Sequence, residues 1–144
     1  MWASSLAING ICDTGKLHNW SCHPIEHEFS AYYDVTHGIG LAIITPKWMR
    51  HILSQATLPK FVSYAVNVWG LKNDDDPMAL ANQAIDATED FLKSINIPSS
   101  LSEIGIGDEN FHAMSRGAVA NNPLEAAYVP LTEDDVYQIF ELCK

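Results

Sequence analysis

From Ala81 onward, Ala84, Ile85, Thr88, Leu92 and Ile95 recur three or four residues apart, and Pro98 ends the series. That spacing lays the side chains along one face of an α-helix and does not fit the two-residue alternation of a half-buried strand. The helical period returns in Leu41, Ala42, Ile43, Ile44, Trp48, Met49 and Ile52, in the stretch from Phe61 to Trp69, and in Val136, Ile139, Phe140 and Cys143. No alternating segment of useful length interrupts them. The chain is therefore expected to be all-α, a helical bundle in which Trp48, Trp69 and Phe61 are core residues. Its 144 residues, 47% of them hydrophobic, suffice for one domain with an ordinary core.

Punctuation residues set the bounds of these helices. Ser21 is placed to cap a helix that tolerates Pro24 in its first turn, with Trp20 and Ile25 spaced as a hydrophobic staple, and that helix should run to about Tyr33. Asp34 to Thr36 turn the chain into a third helix opening at His37, with a kink expected around Pro46. Asn73, Asp74, Asp75 and Asp76 read as a solvated loop whose last residue caps a helix starting at Pro77. Ser99 or Ser100 suits the start of a short turn, and Asp108 that of a helix through Ala118. Thr132 caps the last helix, with Asp135 three positions on and Leu131 and Val136 as its staple. At the start of the chain, Trp2, Ala3, Leu6, Ala7, Ile8 and Ile11 point almost all around a helix, which predicts burial on several sides, as in a piece of something longer.

Charge and cysteine usage exclude several function classes. With 18 acidic against 8 basic residues, a net charge of −10, the chain repels phosphate backbones and anionic lipid surfaces, so neither nucleic acid nor membrane is an expected partner. No apolar run approaches the ~20 residues that span a bilayer, and no basic region of a signal peptide follows Met1. A cytoplasmic location is expected. Cys12, Cys22 and Cys143 form no CxxC pair and suit a reducing compartment where thiols serve as small hydrophobes. Polar residues from Asp13 and Gly15 to Asn19 make a loop that carries His18.

Three of the six histidines, His23, His27 and His37, fall within fifteen positions. His23 and His27 are four apart on one helix and share a face, and His37 opens the next helix after a tight turn. Neutral imidazole is the commonest side-chain metal ligand, so three that converge can supply part of a coordination shell, although histidines at a core's edge also serve as plain hydrogen-bonding groups. His18, His51 and His112 carry no such pattern.

This constellation resembles the iron-containing alcohol dehydrogenases, particularly their butanol dehydrogenase branch. The resemblance lies in a histidine, a second one four residues on within a His-Glu dipeptide (His27-Glu28), and a third followed by glycine (His37-Gly38) fourteen residues after the first. It extends over Trp2 to Leu6, Leu41-Ala42-Ile43-Ile44-Thr45-Pro46 and Pro130-Leu131-Thr132-Glu133-Asp134-Asp135. It implies the helical C-terminal domain of the dehydroquinate synthase-like fold. Residues 1 to 144 would form that single domain, the C-terminal part of a longer two-domain enzyme whose N-terminal nucleotide-binding domain is absent. It implies that His23 and His37 coordinate Fe(2+), with Zn(2+) as the alternative, and that His27 faces the nicotinamide and substrate without binding the metal. The implied reaction is NAD(P)-linked interconversion of primary alcohols such as butanol and aldehydes, the metal acting as a Lewis acid.

The family's site also uses an aspartate and a histidine on one helix turn, and no Asp-xxx-His pair precedes His23 here. Gly38-Ile39-Gly40 lacks the preceding strand and third glycine of a dinucleotide fingerprint. The isolated chain is therefore expected to be inactive, and faces built to meet another domain should favour association into a homo-oligomer. Two other readings stand beside this one. His23-Pro24-Ile25-Glu26-His27 matches the His-x-x-Glu-His pattern of zinc peptidases, which leaves His37 without a role. A non-catalytic helical interaction module is the other.

Overall fold

A computed structural model of the chain describes residues 1–15, 19–72 and 76–144. Among the described residues there are seven α-helices, three short 3-10 turns and no strand: α1 Trp2–Ile8, α2 Cys22–Tyr33, α3 His37–Ile52, α4 Leu58–Trp69, α5 Pro77–Ser94, α6 Phe111–Ala120 and α7 Glu133–Leu142. The all-α expectation holds. None of these helices is long and apolar enough to cross a membrane. His18 and the Asn73 to Asp75 part of the acidic run lie outside the described residues.

Helix α3 is the hub, packing against α2, α5 and α7, while α6 closes the far side between α2 and α7. The apolar stripes explain this. Ile25 and Phe29 of α2, Ile43, Ile44 and Ile52 of α3, and Val136, Ile139 and Phe140 of α7 are all nearly inaccessible and belong to one core. Phe29 and Phe111 both lie against Phe140, with ring centroids 5.1 and 5.4 Å apart. A second, small cluster of Ala65, Leu80 and Ala84 fills the α4–α5 seam. Its small side chains let those two helices approach closely. On the opposite side of α5, Lys47 and Arg50 of α3 pair with Glu89, and Arg50 Nη2 also reaches Asp86 Oδ1 at 2.5 Å.

Local signals fixed most of the helix ends. The Asp76 carboxylate accepts from the amides of Met78 and Ala79, which caps α5. Asp34 ends α2 in the left-handed conformation at φ 54°. Helix α3 is one element across Pro46. Helix α6 begins at Phe111, three residues after Asp108, whose carbonyl accepts from the Phe111 amide. Cys12, Cys22 and Cys143 are free thiols. Burial pushes the Cys22 and Cys143 thiols up to about 12, so both stay neutral, as small hydrophobes should.

The expected burial of the first helix is corrected. Helix α1 buries no residue, with Trp2 78% and Ile8 66% exposed, and the helix ends before Ile11. Gly10 at φ 82° turns the chain out of it. All-round apolarity signals a need for partners on several sides, and α1 meets mainly the 3-10 turn that follows it. Ile95, the last residue of the stripe that starts at Ala81, is likewise exposed and lies just past the end of α5 at Ser94.

The last helix carries a complete capping box. Thr132 Oγ1 accepts from the Asp135 amide at 3.2 Å, and Asp135 Oδ2 accepts from the Thr132 amide at 2.8 Å. His51 Nε2 at the end of α3 lies 3.0 Å from Asp135 Oδ1, which ties the box to the hub helix. Burial alone would raise the Asp135 carboxyl, but hydrogen bonds from Thr132 and the neighbouring His51 hold it below its ordinary 3.8. A carboxyl depressed in the folded state stabilises the fold above the unfolded value, and that contribution is lost as pH falls through the lower folded value. Denaturant unfolding of Thr132→Ala should show a loss of about 1 kcal/mol. Asp135→Asn should flatten the dependence of stability on pH below 3.8.

Candidate metal centre

Helix α2 has two working faces. Ile25 and Phe29 enter the core, while His23, Glu26, His27 and Ser30, spaced three and four apart, line the edge that faces the start of α3. Three residues separate the helices, and the left-handed Asp34 makes the reversal tight. The Thr36 carbonyl accepts from the amides of Ile39 at 2.8 Å and Gly40 at 3.1 Å, so His37 sits on the first turn of α3.

The three histidines that the sequence singles out come together. Ring centroids are 5.2 Å apart for His23 and His37, 5.5 Å for His27 and His37, and 6.3 Å for His23 and His27. His27 and His37 are exposed and His23 is half-buried, its ring edge-on to Trp20 with centroids 4.1 Å apart. Partial burial lowers the His23 pKa below 6.5, and the neighbouring His37 and His27 rings lower it further, against an opposing pull from Glu26. These surroundings favour a neutral His23, the state in which a ring nitrogen has a lone pair to donate. His51 and His112 are elsewhere, His51 against Asp135 and His112 stacked on Tyr137 at 4.4 Å.

Glu26 is the member that the histidine pattern did not single out. It is completely buried, Oε2 is bonded to His37 Nδ1, and Oε1 lies 2.8 Å from the Ser30 hydroxyl. Glu26, His27 and His37 offer donor atoms within 4.8 Å of one another, a spacing compatible with a shared cation. Burial and its bond to His37 turn Glu26 inward, however, whereas the imidazoles are at the surface. The same placement removes the zinc-peptidase arrangement, in which the glutamate must reach a zinc-bound water in the open site. The space for Glu26 is made by Gly40, which the sequence does not distinguish from Gly38. A β-carbon at Gly40 would lie 2.6 Å from Glu26 Oε1 and 2.7 Å from its Cγ, so only glycine leaves room for the buried acid. Gly40→Ala should therefore destabilise the fold by about 1 to 3 kcal/mol in thermal or denaturant unfolding, since Glu26 cannot move aside without repacking.

Comparison with known proteins places the chain in a family. Residues 1–143 match the model of the Fe-containing alcohol dehydrogenase family, C-terminal. The chain is 51% identical over 142 residues to NADH-dependent butanol dehydrogenase A of Clostridium acetobutylicum, covering 98% of this chain and 36% of that protein. It is 47% identical over 143 residues to NADH-dependent butanol dehydrogenase B of the same organism, again over 98% of this chain and 37% of the relative. The crystal structure of NADH-dependent butanol dehydrogenase A from Thermotoga maritima superposes with a TM-score of 0.85 at 29% identity, over 99% of this chain and 37% of that one. The chain thus spans little more than a third of the length of each of these relatives.

Proposed function

This chain belongs to the Fe-containing alcohol dehydrogenase family, whose C-terminal domain it matches, and from that premise we propose that His23 and His37 hold a divalent metal ion, iron(II) or zinc(II), while His27 faces nicotinamide and substrate. The observation that carries this reading is the convergence of three imidazoles from two helices above one buried carboxyl group. The donor set fits such an ion. His37 keeps Nε2 for the outside because Nδ1 is taken by Glu26, and His23 is held toward its neutral form.

When bound, the metal supplies Lewis acidity to an alcohol or aldehyde oxygen. The chain's own residues do the rest of what this domain contributes. His23 and His37 present ring nitrogens from the first turns of two successive helices. His27, one turn further along α2 than His23, lies on the same edge and is exposed, where it can orient a substrate or carry a proton without displacing either ligand. The reaction we assign is NAD(P)-linked interconversion of a primary alcohol and its aldehyde, carried out when this domain is joined to one that binds the nucleotide. Hydride transfer needs the nicotinamide held against the substrate carbon, and no glycine-rich phosphate loop stands in this sequence to do that.

Two measurements test the reading. In an enzyme that joins this domain to its nucleotide-binding partner, His23→Ala and His37→Ala should lose the metal by elemental analysis, while His27→Ala keeps it and turns over more slowly. A metal-free His27→Ala protein would move that residue among the ligands. The 144-residue chain alone should bind Fe(II) or Zn(II) weakly in calorimetry and show no butanol oxidation with NAD or NADP, because two histidines fill only part of a tetrahedral or octahedral shell. Tight one-to-one binding with measurable turnover would overturn it.

A further inference from the structure

We propose that Glu26 is a positioning residue that fixes the tautomer of His37. What the freed ring nitrogen then does rests on the metal-ligand reading above; the tautomer itself does not.

A carboxylate taken wholly out of water needs partners for both oxygens, and Glu26 has one for each: His37 at Oε2 and the Ser30 hydroxyl at Oε1. Among the described residues His37 is its sole ion-pair partner, with no lysine or arginine close enough to compete. A carboxylate only accepts hydrogen bonds, so the shared proton belongs to His37 Nδ1. In the neutral ring Nε2 is then the unprotonated nitrogen, the reverse of the arrangement that a neutral histidine prefers when nothing constrains it. The half-exposed ring thus has its inner nitrogen committed and its outer one free.

Two further contacts hold Glu26 to this task. Ser30 Oγ also lies 3.0 Å from the Val35 carbonyl oxygen, so its single proton is shared between Glu26 and the turn that leads into His37. Gly40, one turn into α3, leaves the space that the glutamate side chain occupies. The acid is therefore clamped from its own helix, from the turn and from α3. Its negative charge lies behind the imidazole, where it makes Nε2 a stronger donor toward a cation.

The test uses the 144-residue chain labelled with 15N at its histidines and observed where the imidazoles are neutral. His37 should show the Nδ1–H tautomer. Glu26→Gln, whose amide oxygen still accepts, should keep that tautomer, whereas Glu26→Ala should release it. Zn(II) titration followed on the same signals should be about 10 to 100-fold weaker for Glu26→Gln than for the parent chain. Ser30→Ala should keep the tautomer and weaken binding less, which preserves the test if Glu26→Ala fails to fold. An Nε2–H tautomer in the parent chain would overturn the proposal, as would a folded Glu26→Ala with an unchanged tautomer. Parent-like Zn(II) affinity in Glu26→Gln would overturn its effect on the metal. His37→Ala separates the two readings: if it binds Zn(II) like the parent, the metal-ligand assignment fails while the tautomer still decides the role of Glu26.

Discussion

The site depends on how closely α2 and α3 approach each other at Glu26 and Gly40. A buried carboxylate costs several kcal/mol to desolvate, and it is retained only where geometry supplies its partners. Here the partner is the first residue of α3, and the space is made by the missing side chain of the fourth. Shifting α3 along its axis by one residue would bring a different side chain to each position. The polar contact and the steric allowance thus specify one register between the two helices, and the histidines take their places from it.

That register is held from beneath by ordinary packing. Ile25 and Phe29 alternate along α2 with the residues of the site, and on α3 Ile43 and Ile44 follow closely on His37 and Gly40. The core and the site are therefore two faces of the same pair of helices. Functional side chains mounted on such elements inherit their rigidity, which a loop-borne cluster would lack. The hub position of α3 extends this support, since α5 and α7 brace its middle and far end through Lys47, Arg50 and His51.

What the sequence made legible is what depends on neighbours along the chain. The bounds of α2, the opening of α3 at His37 and the caps at Asp76 and Thr132 follow from residues a few positions apart, and all appear in the fold. The convergence of the histidines was legible too, because a tight turn between two helices leaves little freedom. Glu26 was not, since its partners at Gly40 and His37 come from another helix and nothing in the periodicity marks a buried acid. Gly38 and Gly40 look alike in sequence, yet a β-carbon at Gly38 would meet nothing within 4 Å. Helix α1 shows the opposite limit: its apolar residues were read correctly, but burial depends on what packs against them, and that is not a property of the segment.

The electrostatics of the cluster run in one direction. Partial burial and then the neighbouring His37 and His27 rings disfavour protonation of His23, and the single acid of the cluster is buried behind the ring of His37. On the proposed reading, a divalent cation between the rings would be met by more than one imidazole donor. The surrounding chain, at net −10, favours the approach of cations in general. Selection among them falls to the donors, and imidazole nitrogens prefer transition-metal ions to magnesium or calcium. With its carboxyl group on the inside and exposed rings at the rim, the cluster offers ligands from one side only. On the proposed reading, a complete shell around an ion placed there requires further donors from the opposite side.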